Sequence, residues 1–171
     1  MKIKVAELLK EPVGKSQEYE VGGSVDIIGD GKGSLVEGDV TLLRTSRGIM
    51  AAGSLNTEIK LACSRCLETF DYPITLNIKE EYIPTVDMAT GAPLPLPEEP
   101  GTFTIDGRQF IDLTEAIVQY SLLAVPIKPL CREDCAGLCQ TCGANLNLGD
   151  CGCPPQDIDP RWADLSRLTH K

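Results

Sequence analysis

Eight cysteines fall in four short pairs: Cys63 with Cys66, Cys131 with Cys135, Cys139 with Cys142, and Cys151 with Cys153. A Cys-x-x-Cys spacing sets two thiolates on one tight turn, where they fill two corners of a tetrahedron around Zn²⁺. In Cys139-Gln140-Thr141-Cys142-Gly143 a glycine follows the second ligand, as a knuckle turn with φ > 0 requires. Six cysteines within 23 residues rich in Gly, Asn and Asp cannot be a hydrophobic core, so metal ligation is the chemistry they point to. Cys63-Ser64-Arg65-Cys66 also has the spacing of a thioredoxin-like redox pair. That reading needs a helix to open at the second cysteine, whereas the residues after Cys66 alternate with period two and predict a strand.

Eight thiols suggest two four-cysteine sites. Cys139, Cys142, Cys151 and Cys153 span 15 residues and can close one locally, leaving Cys63 and Cys66 to meet Cys131 and Cys135. Spacing alone leaves open the partition that exchanges Cys131/Cys135 with Cys151/Cys153. A closed S₄ set favours Zn²⁺, about two structural ions per chain, although an iron–sulfur cluster uses the same ligands. If the first site forms, Arg65 and Arg132 flank one metal. There they would offset thiolate charge or, on the second reading, offer RNA a small basic spot; Arg44 and Arg47 are the other arginines considered.

Catalysis has little to stand on. The single histidine, His170, is penultimate, and no Gly-x-Ser-x-Gly, P-loop or His-Glu-x-x-His motif occurs. The acidic pairs Glu80-Glu81, Glu98-Glu99 and Glu133-Asp134 read as solvated faces. With all eight thiols used as structural ligands, no open coordination position is left for a small-molecule substrate. The expectation is a protein that is not an enzyme.

Net charge is −9 from 16 basic and 25 acidic side chains. Residues 1–66 balance, and the whole deficit lies in residues 67–171. A broad basic footprint for nucleic acid is missing, which leaves a local RNA contact or a basic protein partner such as a ribosomal protein. Residues 1–16 hold no apolar stretch of signal-peptide length, and no run approaches the ~20 apolar residues of a membrane span. A cytoplasmic address with reduced thiols is expected, and no membrane partner.

The elements that must position the cysteines read as α+β: an antiparallel β-rich sheet or partial barrel, one main helix, and a C-terminal zinc-knuckle segment. Residues 49–61 and 70–82 alternate cleanly between apolar and polar side chains, with Cys63 and Cys66 at the turn between them. Residues 19–28 and 35–45 read as two earlier strands around the glycine-rich turn 29–33, and Arg47-Gly48 as the turn before Ile49. Pro73 lacks an amide donor and belongs at an edge or bulge. The proline-rich stretch 84–101 reads as an exposed connection with polyproline II character over 92–97. A helix is expected over 112–124, with Asp112 as N-cap, Glu115 at N3 and a stripe of Leu113, Ala116, Ile117, Tyr120 and Leu123 or Ala124. A short terminal helix follows Asp159-Pro160 and carries Trp162, Leu165 and Leu168. The domain expectation is a β-rich body over 1–130 and a cysteine-rich segment over 131–171.

The chain resembles the YceD family, the large ribosomal RNA subunit accumulation proteins. The resemblance is carried by Cys63-Ser64-Arg65-Cys66-Leu67-Glu68, by Ile111-Asp112-Leu113 opening a helix that ends at Val125-Pro126, and by the run from Cys131 through Gly143. Asn145-Leu146-Asn147 and Asp159-Pro160-Arg161-Trp162-Ala163 complete it. It implies a bacterial cytoplasmic factor, without enzymatic activity, needed for accumulation of large-subunit (23S) ribosomal RNA. Its partner would be a pre-ribosomal particle, met through that RNA or a basic ribosomal protein. The competing reading is a thiol-based redox or metal sensor that responds when Cys63 and Cys66 lose their metal.

Overall fold

The computed structural model describes residues 1–29, 31–87, 90–95 and 101–154. The terminal helix around Trp162, His170, Glu98-Glu99 and the end of the proline run lie outside them. The chain divides into two compact units: Met1–Leu61 with Phe70–Ile127, and Ala62–Thr69 with Lys128–Lys171. The sequence placed a single division at 130; here segment 62–69 groups with the later cysteines.

The first unit is built on an open five-stranded sheet in the order β2-β3-β4-β5-β6. Its strands are β2 (Ser16–Val25), β3 (Ser34–Arg44), β4 (Ile49–Ala62), β5 (Thr69–Pro84) and β6 (Phe103–Ile105). Period-two alternation decides which face is dry. Ile49, Ala51, Leu55, Thr57 and Ile59 of β4 are buried, as are Ile74, Leu76, Ile78 and Tyr82 of β5. All of them but Thr57 join Val36, Val40 and Leu42 of β3 in one apolar core. β3 and β4 approach closely where Val40 faces Gly53 and Gly38 faces Leu55. A β-carbon at Gly53 would lie 2.2 Å from the Asp39 carbonyl oxygen, and one at Gly38 would lie 2.2 Å from that of Ser54. The turn before β4 is closed by Thr45, whose hydroxyl accepts from the amides of Arg47 and Gly48 and donates to Glu81 Oε1 at 2.7 Å.

Pro73 sits on an edge, as expected: β6 runs parallel to β5 but pairs only with Tyr82–Pro84. A two-stranded sheet of β1 (Lys2–Lys4) and β7 (Phe110–Asp112) adds to the unit, as does a 3₁₀ turn at Leu8–Lys10 that buries Leu8 and Leu9. Three-residue elements are too short for periodicity to reveal, which is why the sequence did not show them.

Three expectations need correction. The helix α1 spans Thr114–Ala124 with Leu113 at the N-cap position, because Asp112 is spent as the last residue of β7. Asp112 still accepts the Thr114 amide at 3.0 Å, but Glu115 falls one position short of a capping box and instead accepts from Gln119. The buried stripe keeps Leu113, Ala116 and Ile117 and then takes in Ser121, while Leu123 is 82 % exposed. The described part of the proline-rich stretch folds back on itself. Val86 bridges Pro93, and the Asp87 and Leu94 amides donate to the Ala92 and Thr85 carbonyls. No helix among the described residues is long and apolar enough to cross a membrane.

Candidate metal centres

Both cysteine tetrads belong to the second unit. Its first segment leaves β4 and makes a tight turn. The Cys63 amide donates to the Glu68 carbonyl at 2.9 Å, and the Leu67 amide donates back to the Cys63 carbonyl at 3.0 Å. Residues 139–144 repeat the same pattern. Cys139 donates to the Ala144 carbonyl at 2.8 Å, and Gly143 donates to the Cys139 carbonyl at 2.9 Å. The two Cys-x-x-Cys pairs are thus one knuckle built twice. The residue after the second cysteine is left-handed in each, with φ 73° at Gly143 and φ 61° at Leu67. Glycine adopts that backbone freely, whereas leucine must be held in it.

The knuckle at Cys63 meets the turn at Cys131. Ser64 donates to the Pro129 carbonyl at 2.8 Å and Cys135 to the Arg132 carbonyl at 3.2 Å. These bonds bring Cys63, Cys66, Cys131 and Cys135 together, and Cys139, Cys142, Cys151 and Cys153 form the second group. Within each group all four sulfurs lie within 4.8 Å of one another. Of the two partitions that spacing allowed, the local one is the one built. Cys63 Sγ is 3.8 Å from Cys135 Sγ, and Cys66 Sγ is 3.7 Å from Cys131 Sγ. A tetrahedron with Zn–S of about 2.3 Å has edges of about 3.8 Å, so the donor set fits that ion in type and spacing. These gaps far exceed a disulfide bond, and all eight thiols are free. The centres differ in shielding: Cys63, Cys66 and Cys135 are buried, whereas Cys142 is exposed and its three companions are half-buried.

Each tetrad is electrostatically graded. The Cys66 amide draws the Cys63 thiol down to about 6 against the opposing effect of burial, with help from the Cys131 and Arg65 amides. Burial and then the neighbouring sulfurs push Cys131 up to about 12. In the second tetrad the amides of Cys142 and Thr141 lower Cys139 to about 6, while Cys142 and Cys151 raise Cys153 to about 12. One proton leaves easily and the last only against accumulated negative charge, so four thiolates coexist only around a cation.

Asn147 is the residue that sequence reasoning missed. Its Nδ2 donates to Cys135 Sγ at 3.3 Å and holds that thiol below its ordinary value. Its Oδ1 accepts from the Ala136 amide at 2.8 Å and from Arg132 Nη2 at 2.7 Å. The Asn145-Leu146-Asn147 run was visible in the sequence, but nothing in its spacing assigned it to a sulfur. Arg65 and Arg132 both lie beside the first tetrad, and both are engaged within the chain. Arg65 Nη1 donates to the Cys135 carbonyl at 2.9 Å, and Arg132 Nε pairs with Asp134 at 3.4 Å. Arg44 and Arg47 belong to the other unit, where Arg44 donates to the Gly48 carbonyl and Arg47 pairs with Glu81 at 3.8 Å.

A strand-rich unit and a second unit carrying two cysteine tetrads, each spaced to hold a metal ion, define the class of protein. Comparison with known proteins gives the class its family. Residues 51–169 match the model described as "Large ribosomal RNA subunit accumulation protein YceD", and the chain belongs to that family. An uncharacterized protein of Mycobacterium tuberculosis is 29% identical over 144 residues, covering 84% of this chain and 67% of its own length. One from Mycobacterium leprae is 30% identical over 138 residues, covering 80% and 60%. The maize "Large ribosomal RNA subunit accumulation protein YCED homolog 1, chloroplastic" is 28% identical over 169 residues, covering 80% of this chain and 55% of that protein. No solved structure matches the chain.

Proposed function

We propose that this chain is a non-enzymatic, cytoplasmic factor that supports accumulation of 23S ribosomal RNA and assembly of the large subunit, with two structural zinc ions holding its cysteine unit. The observation that carries the reading is the family match over residues 51–169, whose description speaks of large ribosomal RNA subunit accumulation. The maize relative carries the same words in its name. Zinc is supported by the all-sulfur donor sets and by sulfur spacings of 3.7 and 3.8 Å. The partner is a pre-ribosomal particle. With a net charge of −9, the chain meets it through a basic ribosomal protein or a local RNA contact rather than a broad phosphate-binding face.

The test is genetic and physical together. Deleting the gene should lower large-subunit rRNA relative to small-subunit rRNA, and the protein should sediment with large-subunit precursors in a lysate. Unchanged rRNA ratios would remove the assembly role. Elemental analysis should find about two zinc ions per chain; stoichiometric iron with visible absorption, or no metal, would remove zinc. The sensor reading puts the response at Cys63 and Cys66, which are both buried. Free, reactive thiols at those two positions after purification, with intact rRNA ratios on deletion, would favour that alternative.

A further inference from the structure

The strand-rich unit contains a cleft. β3 and β4 pair from Arg44 opposite Ile49 to Val36 opposite Thr57, and there the ladder stops. Both strands continue: β3 begins two residues earlier, at Ser34, and β4 runs on to Ala62. The Thr57 hydroxyl donates to the Leu35 carbonyl at 2.7 Å and pins the point where they part. Beyond it, among the described residues, β4 has no ladder partner on its β3 side over 58–61. The parting strands open a cavity of about 910 Å³. Ile74 is buried at its base, and Ile28 and Leu35, 51 % and 61 % exposed, give it an apolar wall.

The charges at the cleft are unevenly used. Lys60 is held by Asp71 at 2.6 Å, and Lys32 already has a partner. Glu37 and Glu58, both exposed, also line the opening, and Glu58 lies close enough to act electrostatically on Lys60. An unpaired strand edge offers a row of backbone donors and acceptors to another chain. Main-chain bonds would give such an addition its affinity, and alternate side chains its selectivity.

We propose that this cleft binds an extended, basic peptide segment of a partner protein, which adds as a strand along residues 58–61 of β4 in the place that β3 vacates. Lysines or arginines at alternate positions face Glu37 and Glu58, since opposite charges across neighbouring strands attract. Four residues of β4 edge, about 13 Å at strand rise, set the length of the recognised core. The proposal stands whether or not the chain serves ribosome assembly, because it rests on the cleft alone.

The full-length protein should be titrated with the fluorescein-labelled hexapeptide Lys-Val-Arg-Val-Lys-Val, and its backbone amides followed by NMR. Saturable binding is expected, with amide shifts confined to residues 34–37 and 58–61. The double variant Glu37→Lys, Glu58→Lys should bind at least tenfold more weakly. The control Glu18→Lys, Glu115→Lys, with the same change in net charge, should stay within twofold of wild type. Both double variants change exposed side chains, and matching circular dichroism melts verify that they fold. A Glu-Val hexapeptide should not bind. The proposal is overturned by absent binding of the basic peptide, by equal losses in the two double variants, or by shifts elsewhere on the sheet. It is equally overturned if a single-stranded RNA oligomer shifts the same amides, or if sedimentation shows a second copy of the chain in the cleft.

Discussion

Replacing one cysteine in each tetrad separates the two centres energetically. Cys63 and Cys135, in contact at 3.8 Å, are 72 residues apart in sequence, whereas Cys139 and Cys151 are twelve apart. A metal that ties such positions together removes loop-closure entropy from the unfolded chain, and that entropy grows as (3/2)RT times the logarithm of loop length. The sixfold ratio of lengths makes the first centre worth about 1.6 kcal/mol more than the second. Burial acts in the same direction, since Cys63 is wholly buried and Cys139 only half. For a chain of this size about 1.6 kcal/mol corresponds to ~3–6 °C in melting temperature. Cys63→Ser should therefore melt that much lower than Cys139→Ser, each having lost about one zinc per chain. Scanning calorimetry with metal analysis on the same samples measures both quantities. Equal melting shifts, or a larger one for Cys139→Ser, would refute the reasoning.

The repeated knuckle makes a reciprocal prediction. Leu67→Gly should stabilise the chain by about 1 kcal/mol through relief of a left-handed leucine, and Gly143→Leu should cost about as much, read by urea denaturation of zinc-loaded protein. Asn147→Ala should leave the Cys135 sulfur without its side-chain donor and weaken the first centre's zinc affinity by about tenfold, with the second unchanged, as measured by competition with a chromogenic chelator. Asp112 supplies a pH dependence. Burial raises its pKa, but hydrogen bonds from the Thr114 hydroxyl and amide, together with the Met1 ammonium, hold it net below 3.8. Its folded pKa is depressed, so its contribution is present above the unfolded value and is lost as pH falls through the folded one. Asp112→Asn should lower stability at pH 7 and have progressively less effect below pH ~4, seen in urea melts across that range.

What could be read from sequence followed physical period and spacing. Strands β2 to β5 announced themselves because each is long enough for alternation to repeat, and the ends of β4 and β5 moved by only a residue or two. The helix start moved because a strand of three residues claimed Asp112, and no periodicity marks so short a strand. The ligand groups were legible as two alternatives, and backbone bonds chose between them: Ser64 to Pro129 ties one knuckle to the Cys131 turn. Asn147 stayed silent because an amide donor to sulfur has no characteristic spacing. Leu67 stayed silent because its sequence gives no hint that a leucine adopts a glycine's backbone.

The discontinuity of the first centre has a consequence in time. The ribosome delivers Cys63 and Cys66 long before Cys131 and Cys135. At ~5–20 residues per second, the 72 positions from Cys63 to Cys135 take about 4–14 s to synthesise. During that interval the emerging chain carries a two-thiol half-site that can hold zinc only weakly, or lend it to another ligand. The second centre, with all its donors in one short stretch, can close within seconds of its first cysteine emerging. A chain whose tetrads take up metal would therefore be sensitive to metal supply during translation as well as after release.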